Sequence, residues 1–267
     1  MNGPQARGPY DDMIGAIPAA ADVTYERADI GGVSGFWCRP QTATSDTAIL
    51  YLHGGAYVLG SAYAYRHFAG QFASRTNTAA FVADYGLAPE RPFPAGVNDA
   101  QAVHRGLVAQ GINKIVLVGD SAGGGLSLVL LALVQADADA GKAGKAPAPL
   151  ACVVMSPWTD LALTGASHTT RADEDPFLTQ SALKASVALY LGAEAATHPH
   201  ASPLYGKLDG LPPIQMHVGT SEVLLDDTLQ FAERAGAACA NVSAHVWEGL
   251  TMFSRRANWL VSGTRPR

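Results

Sequence analysis

A serine set between glycines offers the first chemistry in this chain. Gly119-Asp120-Ser121-Ala122-Gly123 follows an apolar run at 115–118 and precedes an apolar helical pattern that begins at Leu126. Strand, sharp turn and helix in that order form a nucleophile elbow, where the turn lifts a hydroxyl to the positive end of a helix. Glycines at 119 and 123 leave room for the strained turn, and the Ala122 amide faces the place where an oxyanion would develop. A phosphate-binding turn also uses glycines, but it needs a Lys-Ser or Lys-Thr that does not follow here.

A second element, His53-Gly54-Gly55-Ala56-Tyr57, comes directly after an apolar run at 49–52. Its small residues let backbone amides, those of Gly55 and Ala56, approach a carbonyl oxygen. Alone, such a turn reads most simply as a tight loop. Beside the elbow it reads as the other half of an oxyanion site, and the chemistry of the pair is acyl transfer through Ser121.

These turns need a frame. Runs at 48–52, 80–83, 115–118, 150–155, 214–218 and Val242–Trp247 are short and strand-like. Between them fall helical patterns at 68–73, 97–108, 126–134 and 228–238. That alternation predicts an α/β fold with a mostly parallel sheet and crossover helices. Ahead of it, Val23–Ile30 and 33–39 form a predicted hairpin around Gly31-Gly32, an antiparallel edge. Residues 136–149 read as a surface loop of low complexity. Between 158 and 213 the alternation lapses into turns plus a helical segment at 182–191, with Leu183, Val187 and Tyr190 on one face.

With 267 residues, 48% of them hydrophobic, the chain suits one large domain. Charged residues are 15%, against roughly 25% in an average soluble domain, and the mean hydropathy is +0.08. A net charge of −5 gives no basic stripe to displace counterions, so nucleic acid is not an expected partner. Cys38, Cys152 and Cys239 are far apart and read as reduced, mostly buried thiols. No signal peptide or membrane span is expected, which points to a cytoplasmic protein; a homo-oligomer is left open. Neither cysteine nor histidine spacing suggests a metal, no dinucleotide fingerprint is present, and no cofactor is expected.

Read together, HGGAY, DYGLAPE…PFP, GDSAGG, SPWTDL, LPPI, GTSEVLLDD and VWEGL resemble, in order, the hormone-sensitive-lipase-like family of bacterial esterases. The resemblance runs from about Val23 to Phe253. It implies an α/β-hydrolase fold, a mostly parallel central sheet flanked by helices, with a small helical cap from about 1–22 and 158–200. It also implies a carboxylic ester hydrolase acting on short- to medium-chain acyl esters, or lactones.

Catalytic groups gather at the carboxyl ends of parallel strands, so an acid belongs after 214–218, where Glu222, Asp226 and Asp227 follow. The resemblance selects Glu222, first in an acid-x-Leu-x-Asp pattern, with Asp226 in reserve. Asp226 and Asp227 otherwise read as first-turn carboxylates that offset a helix dipole. The base should come last, where the family has Gly-x-x-His-x-Phe. Here stands Gly249-Leu250-Thr251-Met252-Phe253: either Met252 replaces the histidine, or one residue is lost between Thr251 and Met252, which fits better. The tail at 254–267 reads as shortened relative to the family.

No other histidine is an obvious substitute. His245 lies well back along its strand, His217 is inside a strand and His53 belongs to the oxyanion turn; His67, His104 and His168 read as surface residues. His198 and His200 would reach the site only if their loop folded inward. The alternative reading is a catalytically impaired or non-catalytic small-molecule binding protein on the same fold.

Overall fold

A hairpin begins the sheet and parallel strands extend it. The structure, a computed structural model, describes residues 3–44, 46–139 and 146–251. Its strands are β1 (Val23–Ile30), β2 (Val33–Pro40), β3 (Thr47–Leu52), β4 (Ala79–Ala83), β5 (Lys114–Asp120), β6 (Ala151–Met155), β7 (Ile214–Gly219) and β8 (Val242–Trp247). They form one sheet in the order β1-β2-β4-β3-β5-β6-β7-β8. The pairings from β4 to β8 are parallel, and β1 and β2 make the expected antiparallel edge. Gly31 and Gly32, with φ of 62° and 81°, supply the two left-handed residues that a two-residue hairpin turn demands.

The helices are α1 (Arg7–Gly15), α2 (Ala62–Thr76), α3 (Ala95–Ala109), α4 (Ser121–Asp139), α5 (Ser167–Thr170), α6 (Gln180–Leu191) and α7 (Leu225–Ala237). Central strands are covered on both faces, so β4 is buried at every residue, whereas edge strand β1 is fully buried only at its ends, Val23 and Ile30. Helix α4 is apolar around its whole circumference and packs on β5, β6 and α3. By length and composition 121–138 could cross a membrane, yet 67% of that stretch is buried inside the fold, as in a core helix. It continues to Asp139, so residues 136–139 are helical rather than loop; alanine at 136 and 138 favours that continuation. The rest of that expected loop lies partly at 140–145, outside the described residues. Cys38 and Cys152 are buried thiols, but Cys239 is exposed.

Helix α3 corrects one expectation. Its buried stripe runs through Val97, Ala100, Val103, His104 and Leu107, so His104 faces the core and is 1% exposed. Neither ring nitrogen has a hydrogen-bond partner among the described residues. Burial, with help from the Arg105 charge, pulls its pKa from 6.5 to about 4. The folded state therefore holds this ring neutral where the unfolded chain protonates it. Stability is complete above about 6.5 and falls as pH drops through about 4, by on the order of 3 kcal/mol. His104→Leu is expected to flatten the pH dependence of chemical unfolding between those values; an unchanged slope would contradict the assignment.

Candidate active site

Ser121 sits where β5 turns into α4, with φ of 54° and 6% exposure. A non-glycine residue in the left-handed region costs on the order of 1–3 kcal/mol and persists only where its surroundings enforce it. Here a Cβ on Gly123 would strike the carbonyl oxygens of Leu52 and His53, and one on Gly119 would strike the Gly123 backbone. The Trp158 amide donates to the Ser121 carbonyl at 2.9 Å. Ala122 follows in the first turn of α4, where amides lack an intrahelical acceptor.

The turn after β3 lies against this elbow. Asp120, 1% exposed, accepts hydrogen bonds from the Gly54 amide at 3.0 Å, Tyr51 Oη at 2.8 Å and Tyr65 Oη at 3.1 Å. Tyr65 Oη also lies 2.7 Å from Tyr10 Oη, which joins α1 to the network. His53 is fully buried, stacked 4.5 Å from the Tyr85 ring and 5.2 Å from Tyr65, with Nδ1 2.8 Å from the Gly54 carbonyl. Burial holds its pKa below the ordinary value, and it serves the turn rather than facing the cavity. Gly55, Ala56 and Tyr57 have φ of 121°, 54° and 62°; Val58 and Leu59 donate back to the Gly55 carbonyl at 3.0 and 2.8 Å. This reversal presents Gly55 and Ala56 to the same cavity as Ser121.

That cavity measures about 620 Å³ including its open mouth. Its apolar wall includes Leu59, Phe177, Leu178 and Leu183. The stripe on 182–191 hinted at Leu183, but nothing in the sequence pattern pointed to Phe177 or Leu178, which lie in an irregular segment. Tyr190 from the same stripe instead stacks on Tyr57 at 4.0 Å, behind the cavity wall.

Glu222 follows β7, 1% exposed, and its Oε1 accepts the Gly219 amide at 2.6 Å. It does not line the cavity. Asp226 Oδ2 accepts the Ser167 amide at 2.8 Å, while Ser167 Oγ accepts the Asp226 amide at 3.1 Å. Asp227 Oδ1 accepts the Thr159 and Asp160 amides at 2.8 and 2.9 Å, and Oδ2 lies 3.4 Å from His168 Nε2. Burial raises the Asp227 pKa despite those partners. Both aspartates occupy the first turn of α7, as expected, and each also fastens the segment after β6. His168 is 2% exposed, not a surface residue, because α5 folds it onto Asp227.

Among the described residues no histidine lines the cavity with Ser121. His245 stacks on His217, ring centroids 4.9 Å apart, along the β7–β8 pair. His67 is half-buried, with Nδ1 3.1 Å from the Ile17 carbonyl. His198 packs against Phe93 at 5.0 Å, and His200 borders a separate groove with Val129 and Lys207. Met252, Phe253 and the tail at 254–267 lie outside the described residues.

The family model of the α/β hydrolase fold matches residues 49–252. An acetyl-hydrolase of Streptomyces hygroscopicus is 41% identical over 220 residues, covering 82% of this chain and 71% of its own. An esterase of Acinetobacter venetianus is 34% identical, covering 90% and 78%. Among solved structures, an esterase from the bacterial hormone-sensitive lipase family superposes with a TM-score of 0.89 at 38% identity, covering 96% of this chain and 84% of that one.

Asp120→Ala is expected to strip three donors of this acceptor, at about 1–3 kcal/mol for each left buried without a replacement. The urea midpoint should fall by the equivalent of more than about 3 kcal/mol. A midpoint within error of the parent would show that the network does not hold the Gly54 turn.

Proposed function

Since this chain belongs to the hormone-sensitive-lipase-like esterases of the α/β-hydrolase fold, we propose that it hydrolyses short- to medium-chain carboxylic esters with Ser121 as nucleophile. The observation that carries this reading is the meeting of Ser121, Gly55 and Ala56 on one cavity. Ser121 Oγ attacks the ester carbonyl carbon, and the Gly55, Ala56 and Ala122 amides receive the oxyanion. The alcohol leaves with a proton, and water then releases the acid from the acyl-serine. Glu222 would orient a base, and helix α1 with the 158–200 segment supplies the cap. The apolar wall at Leu59, Leu178 and Leu183 supports acyl chains of modest length.

The last histidine in the sequence is His245, and we propose that one residue has been lost between Thr251 and Met252. Removing the base of a serine triad costs on the order of 10⁶ in turnover, leaving roughly 10³ to 10⁴ over water. Among the described residues no histidine lines the cavity wall, which favours a second reading, a binding protein that keeps the pocket without efficient turnover.

Hydrolysis of p-nitrophenyl acetate and butyrate, measured beside Ser121→Ala, separates the two. The esterase reading expects a slow rate that vanishes in the variant; equal rates leave the binding reading. A histidine inserted between Thr251 and Met252 is expected to raise turnover by on the order of 10³ or more. No gain would place the defect elsewhere in the pocket.

A further inference from the structure

Two consecutive carboxylates of the segment between β6 and α6 reach across to the loop that carries Glu222. Ser221 Oγ donates to Glu174 Oε2 at 3.1 Å, and the Val223 amide donates to Asp175 Oδ2 at 3.1 Å. The residues on either side of Glu222 are thus each held by one acid. Asp175 is 7% exposed, and its other oxygen accepts the Phe177 and Leu178 amides, both at 3.0 Å. Those are the two residues of this segment that wall the Ser121 cavity ahead of α6. One buried carboxylate therefore joins the cavity wall to the acid loop through three backbone amides.

We propose that Glu174 and Asp175 are a positioning pair, which fixes the orientation of Glu222 and couples it to the Phe177–Leu178 wall. The pair does not touch the reacting atoms. Its catalytic consequence rests on the esterase reading above; its structural consequence does not.

The chemistry favours this division of labour. A carboxylate that accepts several amides at once fixes loop backbone more firmly than neutral acceptors, since each bond is charge-assisted. The Arg171 guanidinium, 2.8 Å from Glu174 Oε1, holds the Glu174 carboxyl below the usual range and keeps it an acceptor. From the other side, the loop is bound by the Ser167 hydroxyl on the Val223 carbonyl at 2.7 Å and by the Thr220 amide on the Trp247 carbonyl at 3.0 Å. Glu222 itself makes a bond to Gly219 at 2.6 Å that depends on the loop keeping its curvature.

The test is backbone hydrogen exchange on the whole protein. Asp175→Asn keeps the shape but sets an NH2 group against the Val223 amide or the Phe177–Leu178 amides. Exchange at Gly219, Val223, Phe177 and Leu178 is expected to rise together by about tenfold or more, while the amides of Thr159 and Ser167 stay as in the parent. Unchanged exchange at Gly219 would overturn the proposal. Should Asp175→Asn not fold, Ser221→Ala severs only the exposed bond to Glu174 and should raise Gly219 exchange by about two- to fivefold; no rise again overturns it.

Turnover supplies a separate arm. In the background carrying a histidine inserted between Thr251 and Met252, Asp175→Asn is expected to lower the Ser121-dependent kcat with p-nitrophenyl acetate about tenfold to 10²-fold, with KM within about threefold. A change in KM alone would make the pair a binding-wall feature and overturn the orienting role. If that background shows no Ser121-dependent rate, the esterase reading fails, and hydrogen exchange still decides whether the pair positions Glu222.

Discussion

The structure depends on how closely two backbones approach beneath Ser121. Strands β3 and β5 are parallel neighbours, with Leu52 opposite Gly119. At a strand spacing of roughly 4.8 Å, the turns that leave their carboxyl ends must share one small volume. Gly123 presses on the Leu52 and His53 carbonyls, and Gly54 on the Asp120 carboxylate. Only residues without a Cβ fit there, so Ser121 and the Gly55–Ala56 turn keep a fixed separation. The left-handed backbone at Ser121, Ala56 and Tyr57 is the local cost of that approach, offset by the bonds that converge on Asp120.

A second set of contacts extends this rigidity to the far side of the sheet. Loops that cross over one another carry backbone amides with no strand or helix to pair them, and buried amides need acceptors. This chain meets that need with carboxylates. Asp160 takes the amides of Ala162 and Thr164, Asp175 those of Phe177, Leu178 and Val223, and Asp227 those of Thr159 and Asp160. The segment after β6 and the loop after β7 are consequently one bonded unit, although more than forty residues separate them in the sequence.

This usage gives the low charge content another meaning. A composition of 15% charged residues reads as a surface sparse in charge. Several of those charges are in fact inside, since Asp120, Asp160, Asp175, Glu222 and Asp227 are each 8% exposed or less. Buried carboxylates of this kind are tolerated because hydrogen bonds from backbone amides and hydroxyls replace water.

The sequence by itself determined the elements and the two glycine turns. Alternating apolar runs, the Gly31-Gly32 hairpin and the glycines around Ser121 are local signals, legible because strand and helix periods and left-handed turns act over a few residues. Tertiary structure alone decided which titratable groups face inward and what they hold. His168 carries no local mark of burial and is buried by the fold of α5 onto Asp227, whereas His104 shares the helical spacing of Val97, Ala100 and Leu107 on the inner stripe of α3. The Glu174–Asp175 bonds to Ser221 and Val223 were likewise invisible, because hydrogen bonds between residues 47 and 48 positions apart leave no periodicity in a single sequence. Phe177 and Leu178 entered the cavity wall for the same reason: an irregular segment has no period from which a face can be read, and its course is set by the distant amides and carboxylates it meets.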